Sequence, residues 1–139
     1  MHKIVFTEKI YSYQIDLVGH VSNIVYIQWL ENGRVRMLEE LGMPISQISK
    51  KEGVLPILTE TRIKYKKPLF IENSVKIEMW LSKLNNASAI LEFRMYNEKG
   101  ELCASAQQKG LFIDTRNNRP ARITAAQREM FEKILITDN

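Results

Sequence analysis

The stretch DLVGHVSNIVYIQWLENGR, residues 16–34, decides how the chain must fold. It begins with a carboxylate, a glycine and a histidine, and then runs through Ile24, Val25, Tyr26, Ile27, Trp29 and Leu30 with hardly a polar break. Ser22 or Asn23 can cap a first helical turn, and Gly42, Met43 and Pro44 form a strong stop, so a helix is predicted from about Ser22 to Leu41. Apolar residues on every side of its first two turns call for enclosure by the rest of the protein. Gly33 shares a face with Tyr26, Trp29, Leu30 and Met37, where a missing side chain lets the backbone approach a packed layer.

The enclosing material must be sheet, because the remaining segments carry a period of two. Residues 3 to 13 set Val5, Thr7, Tyr11 and Tyr13 against Ile4, Phe6 and Ile10, which predicts a strand covered at least partly on both faces. After the polar connection ISQISKKEGVLP, residues 57 to 67 place Ile57, Thr59, Thr61, Ile63 and Tyr65 opposite Glu60, Arg62, Lys64 and Lys66. Val75, Ile77, Met79 and Leu81 form the apolar side of a third strand. Asn85-Asn86 then offers residues tolerant of positive φ for a tight hairpin. A strand over about 87 to 97 carries Ala89, Leu91, Phe93 and Met95, turns at Glu98-Lys99-Gly100 and returns as a longer strand through Ile113. A short helix, Ala125 to Leu135, capped by Thr124, closes the chain. The expected architecture is α+β: an antiparallel sheet of about five strands wrapped around one long central helix.

With 139 residues and 45% hydrophobic content, residues 1–139 are expected to form a single domain. Twenty Lys and Arg against sixteen Asp and Glu leave a net charge of +4, enough to favour a small anionic partner. The basic residues are not interleaved with aromatics along a platform, so a nucleic-acid partner is not expected. Cys103 is the only cysteine, which excludes an internal disulfide and a thiolate zinc cluster and fits a reducing compartment. The first residues lack the continuous apolar core of a signal peptide and no stretch has the length of a membrane span, so the expected location is cytoplasmic.

Asp16-Leu17-Val18-Gly19-His20-Val21-Ser22-Asn23-Ile24-Val25-Tyr26 resembles the D-x-x-G-H-V-N-N-x-x-Y motif of the hot-dog fold acyl-CoA thioesterases, in particular their 4-hydroxybenzoyl-CoA thioesterase-like branch, and the likeness continues through Trp29, Glu31 and Arg34. Tyr65-Lys66-Lys67-Pro68-Leu69 is similar to the family's Y-x-x-P-L, and Asn118-Arg119-Pro120-Ala121-Arg122-Ile123 to its G-R-P-x-R-I/V. The chain departs from the pattern at Ser22, where the first Asn of a pair is usual, and at Glu72-Asn73, where Gly-Asp is common.

The resemblance implies a thioester hydrolase acting on acyl-CoA without a metal or cofactor. Asp16 would be the catalytic carboxylate, attacking the carbonyl or activating water. The backbone N–H near Asn23 would polarise the thioester oxygen, because the first N–H groups of a buried helix lack partners. Gly19 would let the loop bend close to the substrate, and His20 would orient the loop or the water. A thiol with a pKa of roughly 8.5 leaves without a strong general acid, so this two-part site is chemically sufficient.

Val21 and Tyr26 are expected beside the substrate, Tyr26 also belonging to the core with Trp29. Arg62, Lys64, Lys66 and Lys67 are expected to meet the phosphates of coenzyme A. Glu31 ranks behind Asp16, because a carboxylate on such a helix ordinarily pairs with a neighbour such as Arg34. Open sheet edges, together with the resemblance, imply a homodimer or homotetramer whose subunits join sheets and share active sites. Plant-type acyl-carrier-protein thioesterases begin their helix with a similar run, but they use an additional Asn where this chain has Val18. A hot-dog domain that binds acyl thioesters without hydrolysing them is the reading from another class.

Overall fold

The computed structural model describes residues 2–47, 53–71 and 74–137. In chain order the elements are β1 (Ile4–Lys9), α1 (Asn23–Glu40), β2 (Val54–Tyr65), β3 (Ser74–Leu84), β4 (Ser88–Tyr96), β5 (Leu102–Asp114), β6 (Arg119–Pro120) and α2 (Ala125–Glu132). The strands form one antiparallel sheet in the order β1-β3-β4-β5-β2, with two-residue β6 added to the end of β5. β3, β4 and β5 are a meander, and β1 and β2 take the two edges. A Cβ on Gly33 of α1 would lie 3.1 Å from Met79 Sδ and Phe93 Cε1 and 3.3 Å from Phe6 Cε1. Farther along, Arg34 reaches Gln108 on β5. One helix thus touches β1, β3, β4 and β5, which requires the sheet to curl around it.

The core follows the period-two faces. Val75, Ile77, Met79, Leu81, Leu91, Phe93 and Met95 are buried, and they pack beneath Val25, Tyr26, Trp29, Leu30, Gly33 and Met37 of α1. Thr124 caps α2 through a capping box: its Oγ1 accepts the Gln127 N–H, and the Gln127 side chain accepts the Thr124 N–H. That helix ends at Glu132, short of the expected Leu135.

Four expectations are corrected. Ile24 and Ile27 are 62% and 49% exposed rather than enclosed, because the sheet covers only the Gly33 side of α1. β1 stops at Lys9, and Val5, Tyr11 and Tyr13 are exposed, since an edge strand has one packed face. β2 ends at Tyr65, leaving Lys66 outside it, and a bulge between Leu58 and Glu60 breaks the even alternation. The Asn85-Asn86 turn contains no positive φ; it closes through Asn85 N–H to the Ser88 carbonyl (2.8 Å) and Asn85 Nδ2 to Ser88 Oγ (3.0 Å). Glu72-Asn73 and the middle of the connection before β2 lie outside the described residues.

Candidate active site

Residues 14–22 form a small antiparallel frame ahead of α1. Ile15 bridges Val21, Ser22 N–H donates to the Gln14 carbonyl at 2.8 Å, and Asp16 N–H donates to the His20 carbonyl at 2.8 Å. Within it, Asp16 Oδ1 accepts the N–H groups of Val18 (3.0 Å) and His20 (3.1 Å), the side-chain turn that aspartate favours. Gly19 completes the reversal at φ +85°, where a side chain would be strained although nothing lies within 4 Å of the Cβ position. Oδ2 of Asp16 has no hydrogen bond among the described residues, and the side chain is exposed. Leu17 and Val18 project fully from the tip.

The frame is clamped from outside by the segment following β2. Val21 N–H donates to the Leu69 carbonyl at 2.8 Å, His20 bridges Phe70, and the two rings meet edge-on at 5.2 Å. Lys66 and Lys67 N–H groups both donate to the Cys103 carbonyl, at 2.8 and 3.1 Å, tying that segment to β5. Tyr26 locks α1 against it, packing edge-on to Tyr65 (5.0 Å) and to Trp29 (5.4 Å). Burial pushes the Tyr26 hydroxyl up to about 12, with Cys103 and Tyr65 adding to the rise and a backbone bond to Leu69 opposing it.

The helix start itself is open. Ser22 occupies the cap position without a side-chain cap bond, in contrast to the expected capping role. The N–H groups of Asn23 and Ile24 have no backbone acceptor among the described residues, whereas Val25 N–H reaches the Ser22 carbonyl at 3.0 Å. Asn23 is exposed. A pinned carboxylate with one unencumbered oxygen therefore stands one short frame away from two unpaired helix N–H groups, the combination that acyl transfer uses.

The other candidate residues divide. Val21 and Tyr26 are buried beneath the frame. Arg62 is bonded to Glu60, which also pairs with Lys109 at 3.3 Å, and Lys67 is bonded to Glu101. Lys64 and Lys66 are exposed and in no ion pair among the described residues. Glu31 makes no ion pair with Arg34. Instead Arg34 Nη1 donates to Gln108 Oε1 (2.9 Å), and Gln108, 1% exposed, donates to Thr61 Oγ1 (3.1 Å). Burial lowers the Arg34 pKa, and Glu31 acts on it only as a nearby opposing charge.

Sequence reasoning missed a cavity of about 450 Å³ between the second half of α1 and the β2–β5–β4 side of the sheet. Its lining is apolar apart from Glu31, Arg34 and Ser88. Leu58, Gly110, Ala89 and Leu84 stand side by side across four strands in its wall, and two small residues at the centre of that row leave the room. The available signal was the smallness of Ala89 and Gly110, but nothing in the linear chain says that they are cross-strand partners.

Residues 12–131 match the sequence profile of a family described as the Thioesterase-like superfamily. YneP of Bacillus subtilis (strain 168), named as a candidate acyl-CoA thioesterase, is 29% identical over 113 residues, 81% of each chain. The long-chain acyl-CoA thioesterase FadM of Escherichia coli (strain K12) is 25% identical over 91% of this chain and 96% of its own. Among solved structures, a DHNA-CoA thioesterase from Staphylococcus aureus superposes with a TM-score of 0.87 at 23% identity, covering 96% of this chain and 91% of that one, a likeness of fold.

Proposed function

Because the chain belongs to the Thioesterase-like superfamily, we propose that it hydrolyses an acyl-CoA thioester to the free acid and coenzyme A at the frame around Asp16. The observation that carries this reading is the division of labour in one carboxylate: Oδ1 is held by two backbone N–H groups while Oδ2 is left for chemistry. The thioester oxygen sits at the Asn23 and Ile24 N–H groups, whose partial positive charge grows in value as the oxygen gains negative charge. Oδ2 takes the proton of an attacking water, or attacks the carbonyl carbon itself to form a mixed anhydride that water then hydrolyses, returning the Asp16 carboxylate. The C–S bond breaks, the thiolate departs without prior protonation, and the proton released from water ends on coenzyme A. Gly19 and His20 hold the frame, and Val21 and Tyr26 support it from below. YneP and FadM, both similar over most of their length, support the carrier by name.

The molecule works as a homodimer joined along β2, or as a tetramer of two such dimers. β2 is an open edge with Leu55, Ile57 and Leu58 more than a third exposed, and pairing two copies there removes the liability of an unpaired strand. Antiparallel pairing of β2 with its copy also sets the Tyr65 end of one subunit beside the Val54 end of the other, so each frame would face the partner.

An acyl carrier protein is the second reading of the carrier, favoured by Lys64 and Lys66, which are in no ion pair among the described residues and suit an acidic protein surface as well as phosphates. The deciding measurement is thiol release from a panel of short, long and aromatic acyl-CoA esters. Turnover is expected; no release above the spontaneous rate with any ester would overturn hydrolysis and leave a thioester-binding domain.

A further inference from the structure

The cavity beside α1 lies too far from the helix start to be filled by a small acyl group, and it is joined to that start by an exposed apolar track. We propose that it receives the distal part of an aliphatic acyl chain, so that the preferred substrate is a linear acyl thioester of roughly ten carbons or more. This rests on the thioester reading of the Asp16 frame. Glu31, the first helix residue of the cavity wall, is eight residues beyond Asn23, about 12 Å along the axis at 1.5 Å per residue. An extended chain advances about 3.6 Å per three bonds, so about ten bonds are spent before the cavity is entered. An aromatic ring carried directly on the thioester ends well short of it.

The track is visible on the helix. Ile24 and Ile27, exposed although strongly apolar, fall on one face with Glu31, Val35 and Leu38, and the last three line the cavity. A chain laid along this face passes over two isoleucines and descends between α1 and the sheet. Its end meets the Leu58–Gly110–Ala89–Leu84 row. Gly110 has an ordinary φ, and a Cβ there would be in ordinary contact, 3.4 Å from the Ile57 carbonyl oxygen and 3.8 Å from Leu91 Cδ1, so its backbone does not require glycine; the missing side chain adds volume to the cavity that Gly110 lines. The volume of about 450 Å³ lies within the range of roughly 300–1,000 Å³ typical of ligand pockets.

The test measures dissociation constants for saturated acyl-CoA esters of increasing length on Asp16→Asn protein, and turnover of the same series by the unaltered chain. Binding should tighten roughly fourfold per methylene once the chain enters the cavity, and level off when it is full. Ala89→Leu should remove at least tenfold of the advantage of long over short chains. Ile27→Asn, on the surface and harmless to the core, should do the same if Ala89→Leu does not fold. A length-independent profile, or an unaltered profile in folded Ala89→Leu and Ile27→Asn, would overturn the proposal and leave Ile24 and Ile27 as a contact for a second copy. Length-dependent binding without any thiol release would uphold the cavity assignment and overturn hydrolysis.

Discussion

Asp16 and His20 hold each other twice: Asp16 N–H donates to the His20 carbonyl at 2.8 Å, and His20 N–H donates to Asp16 Oδ1 at 3.1 Å. Asparagine can keep both bonds, because its Oδ1 is also an acceptor, while its other atom becomes an uncharged NH₂. Asp16→Asn should therefore fold with an unaltered melting temperature and lose at least ~100-fold in turnover, the scale of a positioned acid–base group. Glu31→Gln is the matched control and should keep its activity. If it were the inactive variant, the chemistry would belong to the helix carboxylate instead.

Gly33 is where α1 rests on the sheet. Alanine places a methyl group 3.1 Å from Met79 Sδ and from Phe93 Cε1, inside ordinary contact distance, with Phe6 closing the third side. Gly33→Ala should cost about 1–3 kcal/mol by overpacking, despite the better helix propensity of alanine. Denaturant unfolding measures it.

Tyr26 links the alkaline limit of stability to the site. Its hydroxyl ionises at about 12 when folded and near 10.0 when unfolded, so the unfolded chain releases the proton first. The contribution of neutral Tyr26 is complete below pH 10 and is lost as pH rises through about 12. Tyr26→Phe should flatten the decline in melting temperature over that window, and ultraviolet titration should lose its last-ionising tyrosine.

Lys64 and Lys66 are the cations of this face left without an ion pair among the described residues, so they are the ones free to meet a carrier. Neutralising both should raise KM for acyl-CoA several-fold with little change in kcat, the pattern of lost uniform binding, and should affect acyl-pantetheine much less. Lys67→Gln should act more weakly, because Glu101 already occupies that ammonium. A KM raised only for acyl carrier protein would identify the protein carrier.

The exposed edge of β2 predicts self-association. Light scattering at micromolar concentration should report at least twice the 16.2 kDa of one chain. A charge placed on that edge away from the cavity, Leu55→Lys, should shift the protein towards the monomer and lower turnover with it.

What the sequence determined by itself was the local and the periodic. The caps of α2, the alternation of β3 and β4, the Gly33 notch and the spacing from Asp16 through Gly19, His20 and Asn23 all lie within a few residues of one another, so their physics is readable along the chain. The tertiary structure decided what depends on who stands across the sheet. The edge position of β2 left Leu55, Ile57 and Leu58 more than a third exposed, and the strand ends before Lys66. Glu101, 34 residues along the chain, took Lys67 out of the expected cationic face, while Arg62 is held by Glu60 on its own strand. Gln108 came from β5 to replace Glu31 as the partner of Arg34. The cavity arose because the pairing of Ala89 on β4 with Gly110 on β5 put small residues side by side. A linear pattern specifies which way a side chain points, but register and curvature specify what it meets, and those are properties of the packed sheet as a whole.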